Sequence, residues 1–196
     1  MEQSIKFHSQ AGQDRFVHHL LVRGMGIVDG TFLDIGCGGE MFSNTLALEG
    51  LGWRGTLVDN SEWAAEFCRR ERPSRFVPGD ATVVDLGLRP GVIDYLSLDI
   101  DAGTLDALRR LPLWDVSFRV ITIEHDSYRF GDGPRDKMRL HLEGNGYDLL
   151  CEDVCSTDGS PFEDWWVHRM LVDPSIAEPF RCSGRIWTDI LAGAKV

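Results

Sequence analysis

Five stretches of this 196-residue sequence set carboxylates directly after an apolar run, three of them beside glycines or a histidine. They read Asp34-Ile35-Gly36-Cys37-Gly38-Gly39-Glu40, Asp59-Asn60, Gly79-Asp80-Ala81, Asp99-Ile100-Asp101 and Glu124-His125-Asp126. Glycines such as Gly36 and Gly38 let a backbone turn tightly and approach a ligand with no Cβ in the way. A nicotinamide dinucleotide asks for G-x-G-x-x-G, with a helix N-terminus facing pyrophosphate. Here Met41 takes the third glycine position, and Glu40 and Asp34 put negative charge where phosphates would lie. Carboxylates so placed suit a ligand with an amino group and a positive charge. Asp59, about twenty residues past the glycine turn, can accept hydrogen bonds from ribose hydroxyls. Asp80 can accept one from an adenine amino group. Any one of these acids could be a helix cap; three in register at consecutive strand ends are harder to explain that way.

The fourth and fifth stretches carry proton chemistry. His125 can act as a general base whose tautomer a neighbouring carboxylate holds, with Asp99 and Asp101 as partners. Alternatively Asp99 and Glu124, alone or with His125, bind Mg²⁺ or Mn²⁺, which lowers the pKa of a bound hydroxyl. A purely structural role for these residues is the third possibility.

Positioning these groups requires strands that end together. Apolar runs at 31–37, 54–60, 74–80, 92–100, 119–126, 147–155 and 163–171 read as strands. Segments 12–23, 61–72, 103–112 and 133–144 have helical period, and a further helix is expected from near Met41. Ser61 can cap the second of these, and Trp63, Ala64, Phe67 and Cys68 share one apolar face of it. Strands buried on both faces and joined by helices imply a parallel sheet with right-handed crossovers. Only CSTDGSPF separates the last two runs, which predicts a hairpin and one antiparallel edge strand. The fold class is therefore α/β, Rossmann-like, with a seven-stranded mostly parallel sheet and helices on both faces. That is the class I methyltransferase architecture. One domain spans 1–196, with a short tail at 173–196. Trp165-Trp166 in the last strand would put one ring in the core and the other near a surface.

In order, SQAGQDRFV, FLDIGCGGEMFSNTLALEGLGWRGTLVDN, DYLSLDIDAGTLDAL and VITIEHD resemble FkbM-type methyltransferases, over about residues 9 to 172. The resemblance implies S-adenosyl-L-methionine as cofactor and O-methylation of a small molecule or sugar. It places Gly36 and Gly38 about the methionine portion, Asp59 at the ribose and Asp80 at the adenine, with Asp34, Cys37, Asn44, Asn60 and Ala81 also among the cofactor-binding residues. Gln13 and Asp14 would face the cofactor or acceptor, and Asp99 the cofactor. The turn continues Gly38-Gly39-Glu40 where the family often has N-D-G, and the 81–91 connection is too short for a full helix. The loop 126–136 is the expected acceptor-facing segment, with Tyr128 and Arg129 as contacts.

With 31 Asp and Glu against 20 Lys and Arg, the net charge is -11, which disfavours nucleic acid as a partner. The expected partner is a small-molecule acceptor, and the protein a monomer or homodimer. Five cysteines without framework spacing, and no apolar run of membrane-spanning length, predict a cytoplasmic chain with no membrane insertion. Two rival readings are a non-catalytic binding or scaffold protein of the same fold and an NAD-dependent oxidoreductase.

Overall fold

The alternating runs build one sheet in the computed structural model, which describes residues 5–193. The first four residues and 194–196, the end of the expected tail, lie outside the described residues. The strands are β1 (Thr31–Ile35), β2 (Arg54–Asp59), β3 (Arg75–Pro78), β4 (Gly91–Leu98), β5 (Val116–Glu124), β6 (Tyr147–Cys155), β7 (Pro161–His168) and β8 (Cys182–Ser183). Their order in the sheet is β3-β2-β1-β4-β5-β7-β6-β8. The switch point, where the order reverses, lies between β1 and β4, where this class of sheet binds ligands.

The sheet has eight strands, not seven. The eighth is a two-residue pairing of Cys182 and Ser183 with Cys151 and Glu152 inside the expected tail, too short to show as an apolar run. The hairpin β6–β7 forms as expected, and β7 is antiparallel to both β5 and β6.

Helix α1 (Gln13–Val17) runs on in wider π-type turns over His18–Gly24; α2 is Leu46–Gly50 and α3 is Glu62–Glu71. A single turn at Asp101–Gly103 leads into α4 (Thr104–Arg110), followed by α5 (Ser127–Phe130) and α6 (Asp132–Gly144). Short helices α7 (Pro174–Ala177) and α8 (Trp187–Gly193) end the described chain. The helix expected from Met41 begins five residues later. Phe42 takes a left-handed φ of 68° that no helix accommodates, and the Ser43 hydroxyl accepts from the Leu46 amide at 3.1 Å, starting the helix there.

Side-chain alternation along the strands feeds two cores. Phe32, Tyr95, Val120 and Trp165 pack with Phe16, Leu20 and Phe180 on one face. Leu33, Leu96, Ile121 and Trp166 pack with Leu108, Met138 and Leu142 on the other. Both Trp165 and Trp166 are fully buried, contrary to the split expected for them. The reason is β7's place inside the sheet, which gives both of its faces a helical cover. Trp165 stacks on Phe16 with ring centroids 4.4 Å apart.

A buried polar chain ties the first half of the sheet to its helices. The Arg72 guanidinium, at the end of α3, donates to the Glu49 carboxylate of α2, and both side chains are sealed from solvent. Arg72 also donates to the Thr45 hydroxyl at 2.7 Å, which in turn donates to Asp34 at 2.5 Å. Burial raises the Asp34 carboxyl to about 6, against the pull of Thr45 and Arg72.

Candidate active site

Backbone hydrogen bonds draw the strand ends into one rim. The Gly36 amide donates to the Val58 carbonyl at 2.8 Å, the Asp99 amide to Ile35 at 2.9 Å and the Gly79 amide to Asp59 at 2.9 Å. Gly36 has a φ of 85°, and a Cβ there would sit 1.8 Å from the Asp99 carbonyl oxygen, so only glycine allows β1 and β4 to meet this closely. The rim encloses a cleft of about 440 Å³. Eight of the expected residues line it: Gly36, Gly38, Asp59, Asn60, Asp80, Ala81, Asp99 and Asp101.

Asp59 organises this wall. One oxygen accepts from the Gly38 amide at 3.0 Å; the other accepts from the Ser61 amide and hydroxyl at 2.8 and 2.6 Å. It therefore fixes the glycine turn against the start of α3, while Ser61 makes no cap bond of its own. Asp80 accepts from the amide and hydroxyl of Thr82 through one oxygen, at 2.8 and 2.7 Å. These bonds hold its carboxyl below the usual range.

Four expected cofactor residues stand outside the cleft lining. Asp34 is buried in the Thr45–Arg72 chain at 1% exposure. The Cys37 thiol turns inward, its Sγ 3.7 Å from that of Cys68. Asn44 donates to the Ser97 hydroxyl at 3.0 Å, and its own side-chain oxygen is buried with no partner. Gln13 donates to Glu163 at 3.1 Å and accepts from the Ala11 amide at 2.9 Å. These residues form the layer beneath the site rather than its surface. The cause is strand alternation for Asp34 and the inward course of the turn for Cys37.

Asp99 and Glu124 face each other where β4 and β5 end. Burial pushes both carboxyls up, and the charge of Asp99 pushes Glu124 up further. Glu124 accepts from the Asp101 amide at 3.1 Å. Asp101, Glu124 and Asp126 each bring one carboxylate oxygen within 4.8 Å of the others. Glu124 and Asp126 also line a second cavity, of about 280 Å³, with Gln10, Tyr128, Ser156 and Phe162. Tyr128 thus faces this space, whereas Arg129 pairs with Asp101 at 2.6 Å on the rim.

His125 lies elsewhere. It is 3% exposed and lines neither cavity. Its Nδ1 accepts from the Ser127 amide at 3.1 Å, and its Nε2 faces Asp153 and Asp164 at 3.5 and 3.7 Å. Arg139 spans the same two carboxylates at 2.8 Å. With Nδ1 an acceptor, Nε2 carries the proton and points at carboxylates, leaving no lone pair free to take a proton from a ligand. The expected base is an anchor for the loop after β5, because successive residues of a strand face opposite ways and Glu124 has the cleft side.

Sequence reasoning missed Glu163 and Trp63. Glu163 is buried on β7 between the Gln13 amide and the Trp165 indole, and burial lifts its carboxyl to about 8. Its sequence signal is an acid inside an apolar run, EDWWV. Trp63 is 61% exposed and lines the large cleft, rather than the inner face of α3.

No protein-family model and no curated protein matches the chain. Solved structures do share its fold. A TehB-like SAM-dependent methyltransferase from Corynebacterium glutamicum matches at a TM-score of 0.53 and 18% identity, covering 80% of this chain and 86% of that one. A precorrin-6y C5,15-methyltransferase from Geobacter metallireducens matches at 0.53 and 17%, covering 85% and 91%. The bifunctional kinase-methyltransferase WbdD matches at 0.50 and 22%, over 80% of this chain and 38% of that one. At such identities the likeness is one of fold, and the fold is the mixed α/β sheet of class I methyltransferases.

Proposed function

We propose that the chain is an S-adenosyl-L-methionine-dependent methyltransferase of the FkbM type, which O-methylates a small metabolite, sugar or lipid-linked acceptor. One observation carries this reading: the acids ending β2, β3 and β4, namely Asp59, Asp80 and Asp99, line a single cleft beside the Gly36–Gly38 turn. That wall offers acceptors for ribose hydroxyls, an adenine amine and an ammonium, and no cluster of cations for pyrophosphate. The fold shared with methyltransferases supports it.

Bound at this cleft, the cofactor supplies an electrophilic methyl group on a sulfonium. The protein's part is alignment and proton transfer. The second cavity admits the acceptor, and Glu124, which lines it, faces Asp99, which lines the first. The acceptor hydroxyl would meet the reacting end at this junction, and a carboxylate of the pair would take its proton. The all-oxygen set of Asp101, Glu124 and Asp126, with Asp99 beside it, also fits Mg²⁺ or Mn²⁺, which would acidify the hydroxyl. No described helix is long and apolar enough to cross a membrane. A cytoplasmic monomer or homodimer remains part of the proposal.

Calorimetric titration with S-adenosylhomocysteine, against NAD and with and without Mg²⁺, tests the reading. Micromolar binding of S-adenosylhomocysteine alone is the expected result. Binding of NAD instead would overturn it in favour of the oxidoreductase. Absence of both from the folded protein would favour a scaffold.

A further inference from the structure

We propose that the Trp63 indole is the wall on which the cofactor's adenine stacks, and that residue 39 is glycine so that the indole can lie there. The proposal rests on the methyltransferase reading. Trp63 is the second residue of α3, directly after the Asp59-Asn60 strand end. The helix buries Ala64, Ala65 and Cys68, yet leaves Trp63 outside the core. Its ring is placed nonetheless: Trp63 lines the cleft together with Asp59, Asn60, Asp80 and Ala81.

Gly39 shows how close the ring comes. A Cβ at Gly39 would stand 2.4 Å from Trp63 Cζ3, and one at Gly38 would stand 3.5 Å from Cη2. Gly38 has a left-handed φ of 55° that favours glycine in any case, but Gly39 is not among the residues of positive φ. Room for the six-membered ring is what residue 39 provides. The Gly38-Gly39-Glu40 departure in the turn and the tryptophan 24 positions later are thus two halves of one contact. An exposed aromatic resting on the glycine turn and lining one cleft with Asp59 and Asp80 fits a planar heteroaromatic ring. The ring's face meets the indole, the attached sugar meets Asp59 and the exocyclic amine meets Asp80.

The test uses the full chain, titrated with S-adenosylhomocysteine and separately with adenosine, by calorimetry and intrinsic fluorescence. Both ligands should bind and quench the parent protein. Trp63→Phe should keep both affinities within about threefold and lose the quench, because phenylalanine still stacks. Trp63→Ala should weaken both ligands by one common factor, about tenfold or more. Gly39→Ala should weaken both in the parent and neither in the Trp63→Ala background. Matching far-ultraviolet circular dichroism confirms that the variants fold. Full affinity in Trp63→Ala would overturn the proposal, as would weakening of S-adenosylhomocysteine with adenosine untouched, which would place the indole at the amino-acid end. Failure of the parent to bind S-adenosylhomocysteine would defeat the methyltransferase reading itself, and so is distinguishable from either.

Discussion

Gly36→Ala is the substitution whose cost the structure fixes most closely. A methyl group at residue 36 would lie 1.8 Å from the Asp99 carbonyl oxygen and 2.8 Å from its carbon. Both are backbone atoms of the chain leaving β4 and cannot rotate aside. The φ of 85° adds about 1–2 kcal/mol for any L residue. Relieving the overlap means parting β1 from β4, which strains packing by about 1–3 kcal/mol. It also stretches the 2.9 Å bond from the Asp99 amide to Ile35, worth about 1 kcal/mol. Together these give about 3–6 kcal/mol. With an m-value near 2 kcal/mol/M, the urea midpoint should fall by about 1.5–3 M. Gly133→Ala is the control: it is helical, has no atom within 4 Å of the added Cβ, and should gain about 0.4–1 kcal/mol. A Gly36→Ala midpoint within the equivalent of 1 kcal/mol of the parent would refute the close approach of the two strand ends.

Asp59→Ala should cost about 1–3 kcal/mol of S-adenosylhomocysteine affinity by calorimetry, since it removes the ribose acceptor of the proposed site together with the 3.0 Å anchor of the Gly38 amide. Unchanged affinity would remove Asp59 from the site. His125→Ala should lower stability by about 1–3 kcal/mol and leave that affinity intact, because the ring serves the Ser127 amide and faces Asp153 and Asp164. Full stability in denaturant would contradict the anchoring role. Asp34→Asn tests the buried carboxyl through pH. The folded state holds the Asp34 proton up to about 6, against an ordinary 3.8, so the parent loses stability as pH rises through that window. The shift corresponds to about 3 kcal/mol. The Asn variant escapes this loss and should gain on the parent between pH 4 and 7; a constant difference between the two proteins would show that Asp34 ionises freely.

The sheet was legible because its strands are runs of branched apolar residues cut by glycine and acid, a pattern that burial on both faces imposes. The β8 pairing was not, since two residues carry no periodicity. Strand ends could be read as well: Asp59, Asp80 and Asp99 line the cleft because parallel strands in register must end together. What sequence could not resolve was the facing of single side chains near those ends. Asp34, on β1, and His125, just past β5, sit one residue out of phase with the cleft, and composition is blind to that phase. Trp63 was hidden for a related reason. An aromatic at helical spacing reads as core, and only its exposure and its place in the cleft lining show that the ring lies outside it.

The buried run from Asp34 through Thr45 to Arg72 and Glu49 also limits how this sequence can drift. Losing Arg72 strands Glu49 without a counter-charge, and losing Glu49 strands Arg72; either change alone costs about 3–5 kcal/mol. Replacing the whole set with apolar residues of like volume costs far less. Glu49 and Arg72 therefore behave as one heritable unit. Descendants of this chain should keep both or exchange them together, and a chimera that took α2 from a lineage with the pair and α3 from one without it would be unstable with every visible site residue in place.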